Sequence, residues 1–166
     1  MILSIIALAL FPIYGNTVMS QDIAHAQANV TATIIIPIEA QENSPLTFGK
    51  FYPGRGGSII ISPDGTVNTT SSVILYNGTT RPGRFVVSGE VAGAVMVLIP
   101  NAPIIITNEN SNSMIVDNWN IDKDKNIRLY DGSQTISIGA TLNIGPTEQT
   151  IKGFYMGTYQ ITFSYN

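Results

Sequence analysis

Gly157-Thr158-Tyr159-Gln160-Ile161-Thr162-Phe163-Ser164-Tyr165-Asn166 alternates without a break. Tyr159, Ile161, Phe163 and Tyr165 share one face, and Thr158, Gln160, Thr162 and Ser164 share the other. A period of two predicts a β-strand whose aromatic face is buried and whose hydroxyl face is wet. Gly157 two residues ahead of Tyr159 fits the start of a late sandwich strand, where a tyrosine hydroxyl ties down the corner. Such a strand has value only inside a sheet, so the search for its partners organises the rest of the chain.

Working outward, Gln134 to Ile144 alternates in the same way. Ile136, Ile138, Ala140, Leu142 and Ile144 are expected inward, with Ser137, Thr141 and Asn143 outward, and Gly145-Pro146 ends the run. Shorter strands are expected at Leu46–Phe51, Val73–Tyr76, Arg84–Ser88, Ala94–Ile99, Ile104–Thr107, Met114–Ile121 and Ile127–Tyr130. Ala94–Ile99 is apolar on both faces, as a central strand is. Pro63-Asp64-Gly65 joins Ser58–Ser62 to Thr66–Asn68 as a hairpin: proline presets φ, aspartate bonds its own backbone and glycine accepts positive φ. Asn29 to Ile38 reads as the first strand. Val30, Ala32, Ile34, Ile36 and Ile38 form its apolar face, and Pro37 confines that stretch to a strand end or an edge. No window holds apolar residues at helical spacing for more than two turns. Many short strands punctuated by Gly, Pro, Asn and Asp predict an all-β, immunoglobulin-like sandwich of short, mostly antiparallel strands.

Composition sets the compartment. Charged residues make up 11% of the 166, against roughly a quarter in an average soluble protein. Thr, Ser, Asn and Ile take their place, which suits an exported β protein. The net charge of −3 leaves no basic footprint for nucleic acid. Ile2 to Ile13 is an apolar run of signal-peptide length, too short to span a bilayer as a helix. Ala24-His25-Ala26 is a small-x-small cleavage site, with Ala26-Gln27-Ala28 as a second candidate. The expected organisation is therefore a signal peptide over residues 1–26 and a single sandwich domain over 27–166. No transmembrane span is expected once the leader is removed, and the destination is the periplasm, cell surface or medium.

The same composition narrows the chemistry. The chain has no cysteine, and its one histidine, His25, falls in the leader. The domain then has no Ser-His-Asp or Cys-His machinery and no histidine or thiolate zinc site. The acids are scattered, with no pair in a recognisable glycosidase frame. Asp122, Asp124 and Asn126 have the alternate spacing of early calcium-loop ligands. Ile127 stands where the loop needs glycine, however, and Ser133 stands where it needs a closing glutamate, so the stretch reads as a solvated loop. Trp119 is read either as core or as a ligand contact that stacks on a sugar. No enzyme activity, cofactor or metal is expected.

Several motifs taken together resemble a known family. Asn29-Val-Thr-Ala-Thr-Ile, Ser44-Pro-Leu-Thr-Phe48-Gly49-Lys-Phe, Ile61-Ser-Pro63-Asp-Gly65-Thr, Gly139-Ala-Thr-Leu142-Asn and Gly157-Thr-Tyr159 with Phe163-Ser-Tyr165-Asn look like the secreted bacterial domains catalogued as domain of unknown function 4402. More distantly, the chain is similar to the spore coat protein U domain and the major subunits of archaic chaperone-usher pili. Those domains also open on an alternating strand, pass through Leu-x-Phe-Gly and end in Gly-x-Tyr with a tyrosine next to last. They usually carry a cysteine soon after the first strand, which this chain lacks. The distant resemblance implies that the first strand is donated to a neighbouring subunit with the help of a chaperone.

Burial arithmetic points to the same segment. Docking the face of Val30, Ala32, Ile34, Ile36 and Ile38 is worth very roughly 5–12 kcal/mol as an upper estimate. That face must pack into its own sheet or add to a neighbour's edge through ladder bonds. The first expectation is a fimbrial-type or cell-surface structural subunit. In it the Val30–Ile38 strand is the donor, Tyr159, Ile161, Phe163 and Tyr165 line the acceptor, and the partners are further copies or a neighbouring fimbrial subunit and a chaperone. The alternative is a monomeric binding module that meets a glycan or protein through Trp119.

Overall fold

The computed structural model describes residues 26–166. The expected leader lies outside the described residues except for Ala26. The chain divides into two units, Met1–Thr33 and Ile34–Asn166. In the first, residues 26–33 form no strand and are exposed.

The second unit is all-β. Its strands are β1 (Glu39–Ser44), β2 (Lys50–Tyr52), β3 (Gly57–Ile61), β4 (Val67–Thr69), β5 (Ile74–Tyr76), β6 (Gly83–Ser88), β7 (Ala94–Leu98), β8 (Ile104–Thr107), β9 (Ser113–Ile121), β10 (Asn126–Arg128), β11 (Ser133–Ile144) and β12 (Thr162–Tyr165). All pairings are antiparallel. One sheet runs β1-β6-β11-β3-β4, with β9 also on β11 and β8 on β9. A three-stranded sheet, β10-β7-β12, faces it, and β2 and β5 form a separate ribbon. The fold is a β-sandwich.

β11 is its spine. Residues 133–138 pair with β6 and 140–144 with β3, while β9 runs along 138–143. Ile138 pairs with both Gly83 and Ile121, so β6 and β9 lie on opposite edges of the spine. Ile136, Ile138, Ala140, Leu142 and Ile144 are buried, as their phase predicts. Ser137 and Thr141, expected outward, are buried too. Strands on both sides of β11 shield side chains this small whichever face they occupy. A register shift between Gly139 and Thr141 is taken up on β9, where Asn118 has φ 51°. Buried side chains gather in two clusters, one around Ile59, Ile61, Val116 and Leu142 and one around Val87, Val95, Val97 and Ile136. Trp119 packs against both.

The Pro63-Asp64-Gly65 hairpin forms between β3 and β4. Gly65 has φ 93°, its N–H donates to the Ser62 carbonyl at 2.9 Å, and the Asp64 carboxylate accepts the Thr66 N–H at 2.8 Å. Three expectations fail. The Leu46–Phe51 strand is reduced to an isolated bridge at Thr47 and to β2, with Gly49 at φ 74° between them. Asn29–Ile38 is not a strand; the ladder starts at Glu39, in Glu39-Ala-Gln-Glu-Asn-Ser44, whose residues are nearly all exposed. The main-chain groups of Ile36 are held by side chains, and Pro37 has no N–H to give a ladder. The last strand is also shorter than its alternation suggested. Ladder pairing covers only Thr162–Tyr165, because β7, its one partner there, reaches no farther than Leu98 opposite Thr162.

Candidate functional site

Among the described residues, β1 pairs only with β6, and β12 only with β7. β12 lies over β6: Phe85 on β6 meets the Phe163 ring at 6.3 Å and the Tyr159 ring, nearly perpendicular, at 6.2 Å. Among the described residues, both sheets therefore end on an edge strand on the same side. Main-chain donors and acceptors on an unpaired edge are a template for a further strand.

The four predicted acceptor residues all line this side. Tyr159, Ile161, Phe163 and Tyr165 are half-buried against the Val87–Ile136 cluster, as is Ile38. Their phase is the expected one, although only Phe163 and Tyr165 lie in the ladder. The corner tie falls on a different tyrosine from the one the sequence indicated. The Tyr159 hydroxyl is shut off from solvent without a hydrogen-bond partner. Burial, with the Glu42 carboxylate as a second cause, pushes its pKa up to about 12. Tyr165 makes the tie instead. Its hydroxyl accepts the Glu90 N–H at 2.6 Å and donates to the Ile36 carbonyl at 2.9 Å. The Glu90 carboxylate in turn accepts the Ile36 N–H at 3.0 Å. A Cβ at Gly89 would overlap the Tyr165 hydroxyl, so only glycine lets the ring settle there.

Of the predicted donor residues, Val30, Ala32, Ile34 and Ile36 are exposed, Ile34 by 96%, and only Ile38 joins the core. Ile35, on the other face, is exposed as well.

Trp119 sits mainly in the core. Its ring stacks at a tilt on Tyr159, with centroids 4.8 Å apart, and its indole N–H is buried without a partner. One side of it borders a recess of about 440 Å³ with Pro100, Asn101, Asp117, Asn118 and Lys125. Asp122 is engaged locally, its carboxylate accepting the Ser137 N–H at 2.8 Å. Among the described residues no three His, Cys, Asp or Glu side chains converge as metal ligands, and no helix is long and apolar enough to cross a membrane.

Sequence reasoning missed β1 and Glu90. β1 carries no apolar alternation to reveal it. Glu90 meets Ile36 across 54 residues, and no local pattern encodes that contact.

No curated protein matches the chain. Residues 38–165 match the family described as domain of unknown function (DUF4402), a stretch that takes in β1 to β12. Because that match covers well over half of its length, the chain belongs to the DUF4402 family.

Proposed function

We propose that the protein is an exported, non-enzymatic structural subunit of fimbrial or cell-surface type that joins its neighbours by strand donation. The observation that carries this reading is a pair of complementary deficits in one chain. Among the described residues, the leading segment exposes Val30, Ala32, Ile34 and Ile36 and is in no ladder, while β1 and β12 are edge strands beside half-buried aromatics. Adding an extended segment to such an edge supplies main-chain bonds from the ladder and places alternate side chains on the core. The donated residues are the exposed Val30, Ala32 and Ile34, since Ile36 and Ile38 are held by the same subunit, and the acceptor is Tyr159, Ile161, Phe163 and Tyr165. A chaperone would cover the open side before assembly, in the periplasm or at the cell surface.

A variant lacking residues 27–35 tests this reading. It should lose self-association and take up an added peptide of that sequence. A variant that associates as the intact protein does, or that ignores the peptide, contradicts strand donation and favours a monomeric binding module.

A further inference from the structure

The recess beside Trp119 is made by a break in β9. Asp117 pairs with Thr141 and Asn120 with Gly139, so Asn118 and Trp119 together stand opposite the single residue Ala140 of β11. Two residues opposite one make a β-bulge, which bends a strand and re-aims its side chains. Asn118 takes the left-handed conformation there, with φ 51°, which asparagine tolerates better than most residues. Met114 and Val116 are the buried residues ahead of the bulge, and strict alternation would send Asn118 inward after them. The extra residue leaves Asn118 exposed and gives the inward place to Trp119. Asp117 and Asn118 therefore come to the surface in succession, next to a ring that lies half in the core.

Much of the remaining wall is the connection Ile99–Pro103, where the chain crosses from β7 in the small sheet to β8 in the large one. Pro100 and Pro103 each fix φ, so this wall is stiff. Lys125 is held beside the end of β7, where its carbonyl accepts the Val97 N–H at 2.7 Å. The volume of about 440 Å³ lies within the roughly 300–1,000 Å³ of small-molecule sites. One carboxylate and one ammonium leave the recess without net charge, a poor fit for a phosphate or a polyanion. A single carboxylate is also too few for a divalent cation. What the recess offers is a mixture of donors and acceptors. The Asn118 amide donates to the Asp117 carboxylate at 3.0 Å. That bond leaves the second amide N–H, the amide oxygen and further carboxylate lone pairs for a ligand, and Asn101 adds another amide. The indole N–H stays in the core, so the Trp119 ring contributes apolar surface, as the prolines do.

We propose that this recess binds a neutral saccharide of one or two rings. Each sugar hydroxyl both donates and accepts, which suits Asn101, Asp117 and Asn118, while the C–H face of the ring lies against Trp119 and the prolines. The inference goes beyond strand donation and does not rest on it.

Trp119 is the only tryptophan of the chain, so its emission reports on this recess alone. The protein starting at Gln27 is titrated with lactose, maltose, cellobiose and diacetylchitobiose up to tens of millimolar. At least one should give a saturable change. Asp117→Asn should then weaken binding about tenfold, the worth of a hydrogen bond to a charged group, and Asn101→Ala about fivefold, the worth of a neutral one. Asn101 is exposed on the connection, so its variant stays informative if Asp117→Asn folds poorly. Tyr76→Ser, on the exposed face of β5, should bind as the unaltered protein does. No saturable change with any of the four sugars, or one that both recess variants leave untouched, overturns the site. Self-association is read separately by solution mass, so either result leaves strand donation standing.

Discussion

Tyr159 and Phe163 sit two turns of the pleat from each other and test different physics. The Tyr159 hydroxyl is buried without a partner, and its pKa is raised from 10.0 to about 12, chiefly by burial. Below pH 10 the folded and unfolded chains both keep the proton. Between 10 and about 12 the unfolded chain releases it and the folded protein does not, so stability should fall with rising pH across that window. In Tyr159→Phe this part of the alkaline decline should vanish, and stability near neutrality should be unchanged or about 1 kcal/mol higher, since an unsatisfied buried group is removed. Denaturant titrations from pH 8 to 12 read both effects; a Tyr159→Phe protein with the unaltered decline contradicts the assignment. Phe163, only half-buried in the separate subunit, should cost about 1–3 kcal/mol on replacement by Ala. Ile138 is fully buried, and Ile138→Ala should cost about 2–5 kcal/mol. Equal losses would mean that the β12 side is already closed. The phase of both residues was legible, because a period of two survives any arrangement of partners. The identity of the tying tyrosine was not, because a hydroxyl's partner depends on which distant backbone arrives beside it.

At the scale of the element, β11 carries the sandwich and Gly139 is its tightest point. A Cβ there would collide with the Ile61 carbonyl and the Asn120 side chain. Gly139→Ala should therefore destabilise by at least about 2 kcal/mol, since backbone on one side cannot yield. Gly65→Ala makes the control: nothing lies within 4 Å of the added carbon, and the cost should be about 1 kcal/mol, from the positive φ alone. Thermal or urea unfolding of the two variants checks the ranking, and a larger loss at Gly65 would reverse it. Strands with a buried face, such as β6, β7, β9 and β11, were readable because burial writes a pattern into sequence. β1 was not, because an exposed edge strand needs no apolar face, and its polar residues read as a connection. The opposite error arose just before it. Val30 to Ile38 has the pattern of a strand, but alternation records a face that needs burying, not the molecule that will bury it.

At the scale of the whole molecule, the proposed function joins a sandwich with two edge strands on one side to a leading segment whose Val30, Ala32 and Ile34 are exposed. Sequence led to the all-β architecture and to both halves of the candidate site. The bonds from Glu90 and Tyr165 to Ile36 could not be read, since they join positions brought together only by the folded sheets. Ile34 offers the sharpest probe. It is 96% exposed, so Ile34→Asp should leave the separate subunit's stability nearly unchanged. Entering a neighbour's groove would force its carboxylate out of water unpaired, which should block association. The decisive measurement is the solution mass of the protein starting at Gln27 and of its Ile34→Asp variant over a wide concentration range. The account predicts species that grow with concentration for the unaltered protein and a single folded subunit for the variant. A single small species for the unaltered protein at every concentration, or an Ile34→Asp variant that assembles equally well, would contradict it.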